Sequence, residues 1–158
     1  MIVVLPQAYL TNRQIKIWSL LLRNPSKADV GRILGITRQA VYDAEKAILL
    51  KVESALIHAA EVSKIEVRFV DSTKGVLLGY SPVTRNRVII TFSAKNGVQT
   101  WHYEQKDCAS CQIRKKCHER LLVEAEERGV TLSDEENRLP PSKLAHRIFS
   151  KVIPGLTP

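Results

Sequence analysis

The sequence predicts an α+β fold, with an N-terminal three-helix helix-turn-helix whose third helix is long, then a small antiparallel β-meander, a cysteine-rich loop and C-terminal helices. Apolar residues recur at helical spacing up to about Val62, and they alternate with polar residues after Ser63. All three cysteines then fall within one short segment. The change of pattern predicts two domains, at residues 1–62 and 63–158.

The first predicted helix begins at Thr11, because a threonine hydroxyl is a good N-cap. It ends at Asn24 and Pro25, because the residue before a proline is disfavoured in the helical conformation. Its apolar residues are spaced so that they form one buried stripe. The stripe consists of Ile15, Trp18, Leu21 and Leu22. Such a helix is expected to pack on its neighbours through one side.

A short second helix and a tight turn follow. Ser26 is expected to cap a helix over Lys27–Leu34. Gly35 supplies the left-handed conformation that ends this helix, and Thr37 caps the next one. The apolar residues expected to face inward are Val30, Ile33 and Leu34. This order of cap, glycine turn and second cap is typical of a helix-turn-helix.

The third predicted helix has an apolar side, with Val41, Ala44 and Ile48, and a polar side. The residues expected on the exposed polar side are Arg38, Gln39, Tyr42, Asp43 and Lys46. Because the start of a recognition helix reads base edges in the major groove, this side predicts contact with double-stranded DNA. Arg13 and Lys27 complete the predicted DNA-binding set. The alternative is a merely solvated face of an ordinary three-helix unit.

The segment Leu10–Val52 resembles the helix-turn-helix of the archaeal Tfx-type transcriptional regulators, which are relatives of the LuxR and sigma region 4 helix-turn-helix. The matching elements are the opening at Thr11–Gln14, the turn at Leu34–Arg38, Val41 and the pair Glu45 and Lys46. The resemblance fades after about residue 62. It implies a DNA-binding transcriptional regulator, and it implies nothing about the cysteine segment or about what the second half binds.

Composition is compatible with a nucleic-acid partner. The formal net charge is +8, and residues 63–118 carry ten basic and four acidic residues. A basic chain suits phosphate contacts that weaken as salt rises, although basic surfaces also serve solubility. The sequence has no apolar run long enough for a membrane helix and no signal-peptide pattern. We therefore expect a cytoplasmic protein with no membrane partner.

The third helix continues well beyond the part that would meet DNA, because no proline or glycine occurs between Arg38 and Gly75. Its apolar residues follow a heptad-like spacing. They are Val41, Ala44, Ile48, Val52, Ala55, Ala59 and Val62. This seam predicts a homodimer on an inverted-repeat site, in which paired helices set the distance between two recognition helices. The alternative is that the seam packs on the chain's own sheet.

Four segments rich in β-branched and aromatic residues predict the antiparallel meander. They are Lys64–Val70, Gly75–Tyr80, Arg87–Phe92 and Val98–Tyr103. Turn residues separate them, and Asn96 with Gly97 is a strong hairpin signal. The sheet could cover the long helix, bind a small-molecule ligand or extend a dimer, and the sequence does not choose among these roles. Near the C-terminus, Ser142 is expected to cap a last helix.

The cysteine segment predicts a metal or redox site. Cys108 and Cys111 form a C-x2-C turn, Cys117 can close from the start of a following helix, and His102 can supply a fourth ligand. An iron–sulfur cluster fits the cysteine spacing, zinc accepts this ligand set, and a disulfide without metal is the third alternative. The cations expected to lower the thiol pKa values are Arg114, Lys115 and Lys116.

These observations favour a sequence-specific, non-enzymatic transcriptional regulator that a cysteine site tunes or stabilises, for example as a redox sensor. The alternative is a metal- or iron–sulfur-containing nucleic-acid-processing enzyme that docks through the helix-turn-helix. Catalysis would need convergent acids or a histidine-based site. Asp71, Glu104 and Asp107 are too few and too separated in the sequence to argue for one, so no catalytic residue is predicted.

Overall fold

The computed structural model describes residues 10–23, 26–104 and 106–156. The helices before the sheet are α1 (Asn12–Arg23), α2 (Lys27–Leu34) and α3 (Arg38–Val62). The strands are β1 (Glu66–Asp71), β2 (Val76–Ser81), β3 (Asn86–Ser93) and β4 (Gly97–His102). The later helices are α4 (Arg114–Glu127), α5 (Asp134–Asn137) and α6 (Pro141–Val152). None of these helices has both the length and the apolar character needed to cross a membrane.

The predicted α+β fold is confirmed, and the strands fall within two residues of their predicted bounds. The sheet is an antiparallel meander in the order β1-β2-β3-β4. Ser93 pairs with Gly97, so the last turn has three residues rather than the two of a tight asparagine-glycine hairpin. Gly97 has a φ of 71°, a conformation that glycine adopts without steric cost. Asn24 and Pro25, which were predicted to end the first helix, lie outside the described residues.

The sheet is the middle layer of the molecule, because helices pack on both of its faces. Alternate residues of β3 point to opposite faces, as in any strand. Val88 and Ile90 join one core cluster with α1, α2 and α3. Ile89 joins the other cluster with α4 and α6. The first cluster crosses the predicted boundary at residues 62 and 63, so the helix-turn-helix and the sheet share one core.

The apolar seam of α3 packs on the chain's own sheet, which is the second of the two alternatives for it. Val52 and Leu56 have no exposed surface, and both share a core cluster with Leu77 and Ile90. Val62, the last residue of the predicted seam, is 68% exposed. The seam is therefore not a free surface for pairing with a second copy.

Two further sequence predictions are wrong. Ile33 was expected to face inward, but its side chain is 61% exposed, because the eight-residue helix α2 buries only Val30 and Gly31. Ser142 was expected to be an N-cap, but α6 begins one residue earlier at Pro141. Proline is favoured in the first turn of a helix, where its missing N–H costs nothing.

A buried ion pair attaches α4 to the turns of the sheet. Arg128 donates to Glu124 Oε2 at 2.6 Å and to the carbonyl oxygens of Lys74, Gly75 and Phe92 at 2.7, 3.1 and 3.0 Å. Burial raises the pKa of Glu124, and the Arg128 charge opposes that rise. The guanidinium thus ties α4 to backbone carbonyls of the β1–β2 turn and of β3, and the Gly75 carbonyl also accepts from the Phe92 N–H at 2.8 Å.

Candidate nucleic-acid interface

The turn between α2 and α3 has the predicted capped geometry. Gly35 has a φ of 65°, and the Ile36 N–H donates to the Gly31 carbonyl at 2.9 Å. The Thr37 hydroxyl oxygen accepts from the Ala40 N–H at 3.0 Å. These bonds satisfy backbone groups that both helix ends would otherwise leave open. They fix the direction in which α3 leaves the turn.

Gly31 has a role in this turn that the sequence analysis missed. A Cβ at Gly31 would lie 2.7 Å from the Ile36 carbonyl oxygen, which is closer than any real contact. A glycine here lets the turn fold back onto α2. A glycine in the interior of a short predicted helix, where its propensity is poor, was the available signal for such a close backbone approach.

The predicted face of α3 is exposed at all five positions, and its side chains contact one another. Gln39 Nε2 donates to Asp43 Oδ1 at 3.0 Å. Lys46 Nζ lies 4.5 Å from the centroid of the Tyr42 ring, a cation–π distance. These contacts hold long polar side chains in place at the surface, so less rotamer freedom remains to be lost when a partner binds.

Lys27 belongs to the same surface, although it lies on α2. Its Nζ is 6.0 Å from the Tyr42 ring centroid, and it pairs with Glu45 of α3 at 3.0 Å. Lys27, Arg38, Gln39 and Tyr42 line a concavity of about 480 Å³. We call this surface the α3 face; it consists of Lys27, Arg38, Gln39, Tyr42, Asp43 and Lys46.

The chemistry of the α3 face suits an anionic, hydrogen-bonding partner. Within the described part of the chain no carboxylate pairs with Arg38, so its guanidinium is available. Arginine reads guanine in the major groove with two hydrogen bonds, and glutamine can read adenine in the same way. Both residues occupy the first turn of α3, where the helix dipole also favours negative charge.

Arg13 is exposed, but the structure does not place it beside the start of α3. Thr11 and Gln14 cap the start of α1 reciprocally, and Lys51 Nζ donates to Gln14 Oε1 at 3.0 Å. Lys51 lies about 20 Å farther along α3 than Arg38, given the helical rise per residue. Arg13 is therefore close to the middle of α3 and separate from the α3 face.

The cysteine segment has the predicted backbone shape. The Cys111 N–H donates to the Cys108 carbonyl at 3.3 Å, which closes a tight turn. Cys117 lies in the first turn of α4, and its N–H donates to the Ile113 carbonyl at 2.9 Å. Cys108 Sγ is 3.6 Å from Ser142 Oγ of α6. All three thiols are free.

The predicted lowering of thiol pKa values is wrong for Cys117. Burial raises its pKa, and the charges of Cys111 and Cys108 raise it further. Arg120 and Lys116 oppose this rise with smaller effects.

The predicted metal ligands do not form a complete site in the structure. Within the described ranges, no three side chains of histidine, cysteine, aspartate or glutamate converge as metal ligands. His102 is exposed on β4, and His118, which follows Cys117 in the sequence, forms a hydrogen bond of 2.8 Å with the Asn137 carbonyl. Iron–sulfur or zinc binding at the cysteines stays a prediction.

Comparisons of the chain with protein-family models, with curated proteins and with solved structures found no match. The case for a function therefore depends on the geometry and chemistry of the residues described above.

Proposed function

We propose that this protein binds double-stranded DNA in the major groove through the α3 face and acts as a sequence-specific transcriptional regulator. The observation that carries the proposal is the pair Arg38 and Gln39, exposed in the first turn of a helix that follows a capped glycine turn. In DNA-binding helix-turn-helix units the second helix of the motif lies in the groove and contacts bases near its N-terminus. Here that helix is α3.

Two kinds of contact follow from this placement. Arg38 and Gln39 supply hydrogen bonds to base edges, and each well-formed pair of bonds discriminates against a wrong base by about 1–3 kcal/mol. Lys27 and Lys46, at the border of the same surface, supply phosphate contacts that carry no sequence information. The net charge of +8 favours these contacts and makes the affinity fall as salt rises.

A homodimer on an inverted repeat remains part of the proposal, but α3 cannot supply its interface through the buried seam. Val52 and Leu56 already contact the sheet of the same chain. A second copy would have to use a surface that the described residues leave exposed. Symmetry in the selected DNA sites would support two copies related by a two-fold axis.

The proposal is tested by selecting binding sites from a library of random duplexes with the native protein and with the variant Arg38→Ala/Gln39→Ala. The native protein should enrich a defined sequence. The variant should keep salt-dependent binding to all duplexes but lose most of the preference, by roughly tenfold or more for each base pair no longer read. Circular dichroism should show an unchanged fold, because both side chains are exposed.

A matched control removes the same two residue types elsewhere. Gln112 and Arg114 are exposed beside the start of α4. The variant Gln112→Ala/Arg114→Ala should select the native sequence. If Arg38→Ala/Gln39→Ala selects that sequence as well as the native protein does, the α3 face does not read DNA.

A further inference from the structure

A second cavity lies where α1, α2 and α3 meet the turn between β1 and β2. Its volume is about 340 Å³, within the range of small-molecule sites. Its apolar walls are Trp18, Leu21, Leu22 and Leu49. Because α1 and α3 belong to the helix-turn-helix and the turn belongs to the sheet, an occupant would touch both parts of the molecule.

The Trp18 ring forms part of the wall of this cavity, and its indole N–H is buried and unsatisfied in the part of the chain that the structure describes. Its side chain is 1% exposed, and its Nε1–H has no hydrogen-bond partner among the described residues. A buried indole N–H usually finds an acceptor, since leaving it unpaired costs about 1–3 kcal/mol. The ring is held edge-on to Phe92, with 5.2 Å between centroids, and Gly75 leaves room for it. The ring is therefore fixed in place while its donor stays unpaired.

The charged groups of the cavity favour an anion. Its charged lining residues are two lysines, Lys27 and Lys74, and one glutamate, Glu45. Glu45 Oε2 is buried and lies 3.0 Å from Lys27 Nζ without the geometry of a hydrogen bond. This ion pair leaves the lysine able to bind a second anion. This positive balance suits a carboxylate.

We propose that the cavity binds a small organic acid, with its carboxylate pairing with Lys74 and Lys27, and with its apolar part against the Trp18 ring and the leucines. Resting on the proposed function, we further propose that such an acid lowers DNA affinity. Lys27 lines both this cavity and the concavity of the α3 face. A bound carboxylate would compete with DNA phosphate for the same ammonium group.

The binding step is tested without DNA by titrating the native protein with hexanoate while recording the two indole N–H signals by nuclear magnetic resonance. Trp101 is an internal reference, because its Nε1–H already donates to Thr91 Oγ1 at 3.0 Å. Hexanoate should move the Trp18 signal saturably, as expected for a ligand that packs against the Trp18 ring, and leave the Trp101 signal in place. Trp18→Phe assigns the signals. Hexan-1-ol, which has the same chain without the charge, should have much less effect.

The coupling step is tested by measuring affinity for a selected duplex with and without hexanoate at constant ionic strength. Affinity should fall roughly fivefold or more, the usual lower range for coupled sites. Lys74→Gln should bind DNA like the native protein but lose the response to hexanoate, because Lys74 lies outside the α3 face.

Each failure has a distinct meaning. A Trp18 signal that does not move at millimolar hexanoate, or that moves equally with hexan-1-ol, overturns the acid site whatever the DNA result. A Trp18 response with unchanged DNA affinity overturns the coupling through Lys27. A protein that binds hexanoate but no DNA sequence overturns the proposed function and leaves the acid site standing.

Discussion

At the scale of single residues, the turn between α2 and α3 requires a glycine at position 31, because the turn leaves no space there for a side chain. Gly31→Ala would place a methyl group 2.7 Å from the Ile36 carbonyl oxygen. We expect this variant to lose about 1–3 kcal/mol of the free energy of unfolding, the usual cost of overpacking, despite the better helix propensity of alanine. Its affinity for a selected duplex should also fall, because the turn sets the direction of α3. Urea denaturation and a binding titration measure the two effects.

Gly35→Asn is the control for this prediction. Gly35 has a φ of 65°, a Cβ there would have open space around it, and asparagine tolerates that conformation better than other residues do. It should lose less stability than Gly31→Ala, because asparagine is the residue other than glycine that occurs at such helix ends. A Gly31→Ala protein as stable as the native one would show that the turn can move away from α2 at no cost.

The sequence predicts exposure well where local periodicity decides it. The five polar residues of the α3 face are exposed because helical spacing puts them opposite Val41 and Ile48. The sequence predicts exposure poorly where contacts with distant segments of the chain determine it. The unpaired Trp18 donor and the burial of Glu124 depend on strands and turns far along the chain. No local pattern carries that information.

At the scale of elements, local cues determine where α3 begins and how long it is, but they do not determine what covers it. The Thr37 cap predicts where the helix begins, and the change from helical to alternating spacing after Val62 predicts where it ends; the observed helix has 25 residues. A heptad-like spacing describes only an apolar stripe, and a second helix or a sheet can bury that stripe equally well. Here the chain's own sheet does so, and the cavity beside Trp18 arises at the same junction.

The packing of α3 gives a prediction for Val52, which is fully buried in the core shared by α3 and the sheet. Val52→Asp should destabilise the fold by more than about 4 kcal/mol, because a charge would be buried without a partner. Leu50→Asp is the matched control, since Leu50 lies on the same helix and is 71% exposed. Thermal unfolding followed by circular dichroism compares the two. A folded Val52→Asp protein of unchanged stability would contradict the packing of α3 on the sheet.

At the scale of the whole molecule, the sheet joins the N-terminal helices to the C-terminal helices. Trp18 packs on Gly75 and Phe92 from one side. Arg128 donates to the carbonyl oxygens of the same two residues from α4. A change at either side of the sheet therefore meets the same two residues, Gly75 and Phe92, whose backbones are joined by a hydrogen bond of 2.8 Å. This arrangement gives the cysteine segment, just before α4, a physical connection to the helix-turn-helix.

The central claim is that DNA lies against the start of α3, and site-specific photocrosslinking tests it most directly. A benzophenone side chain is placed at Tyr42 in one variant and at Val62 in another; both positions are exposed, but Val62 lies about 30 Å farther along the helix. Irradiation with a selected duplex should crosslink the Tyr42 variant and not the Val62 variant. Equal crosslinking at both positions, or crosslinking at Val62 alone, would contradict the assignment of the α3 face as the DNA-binding surface.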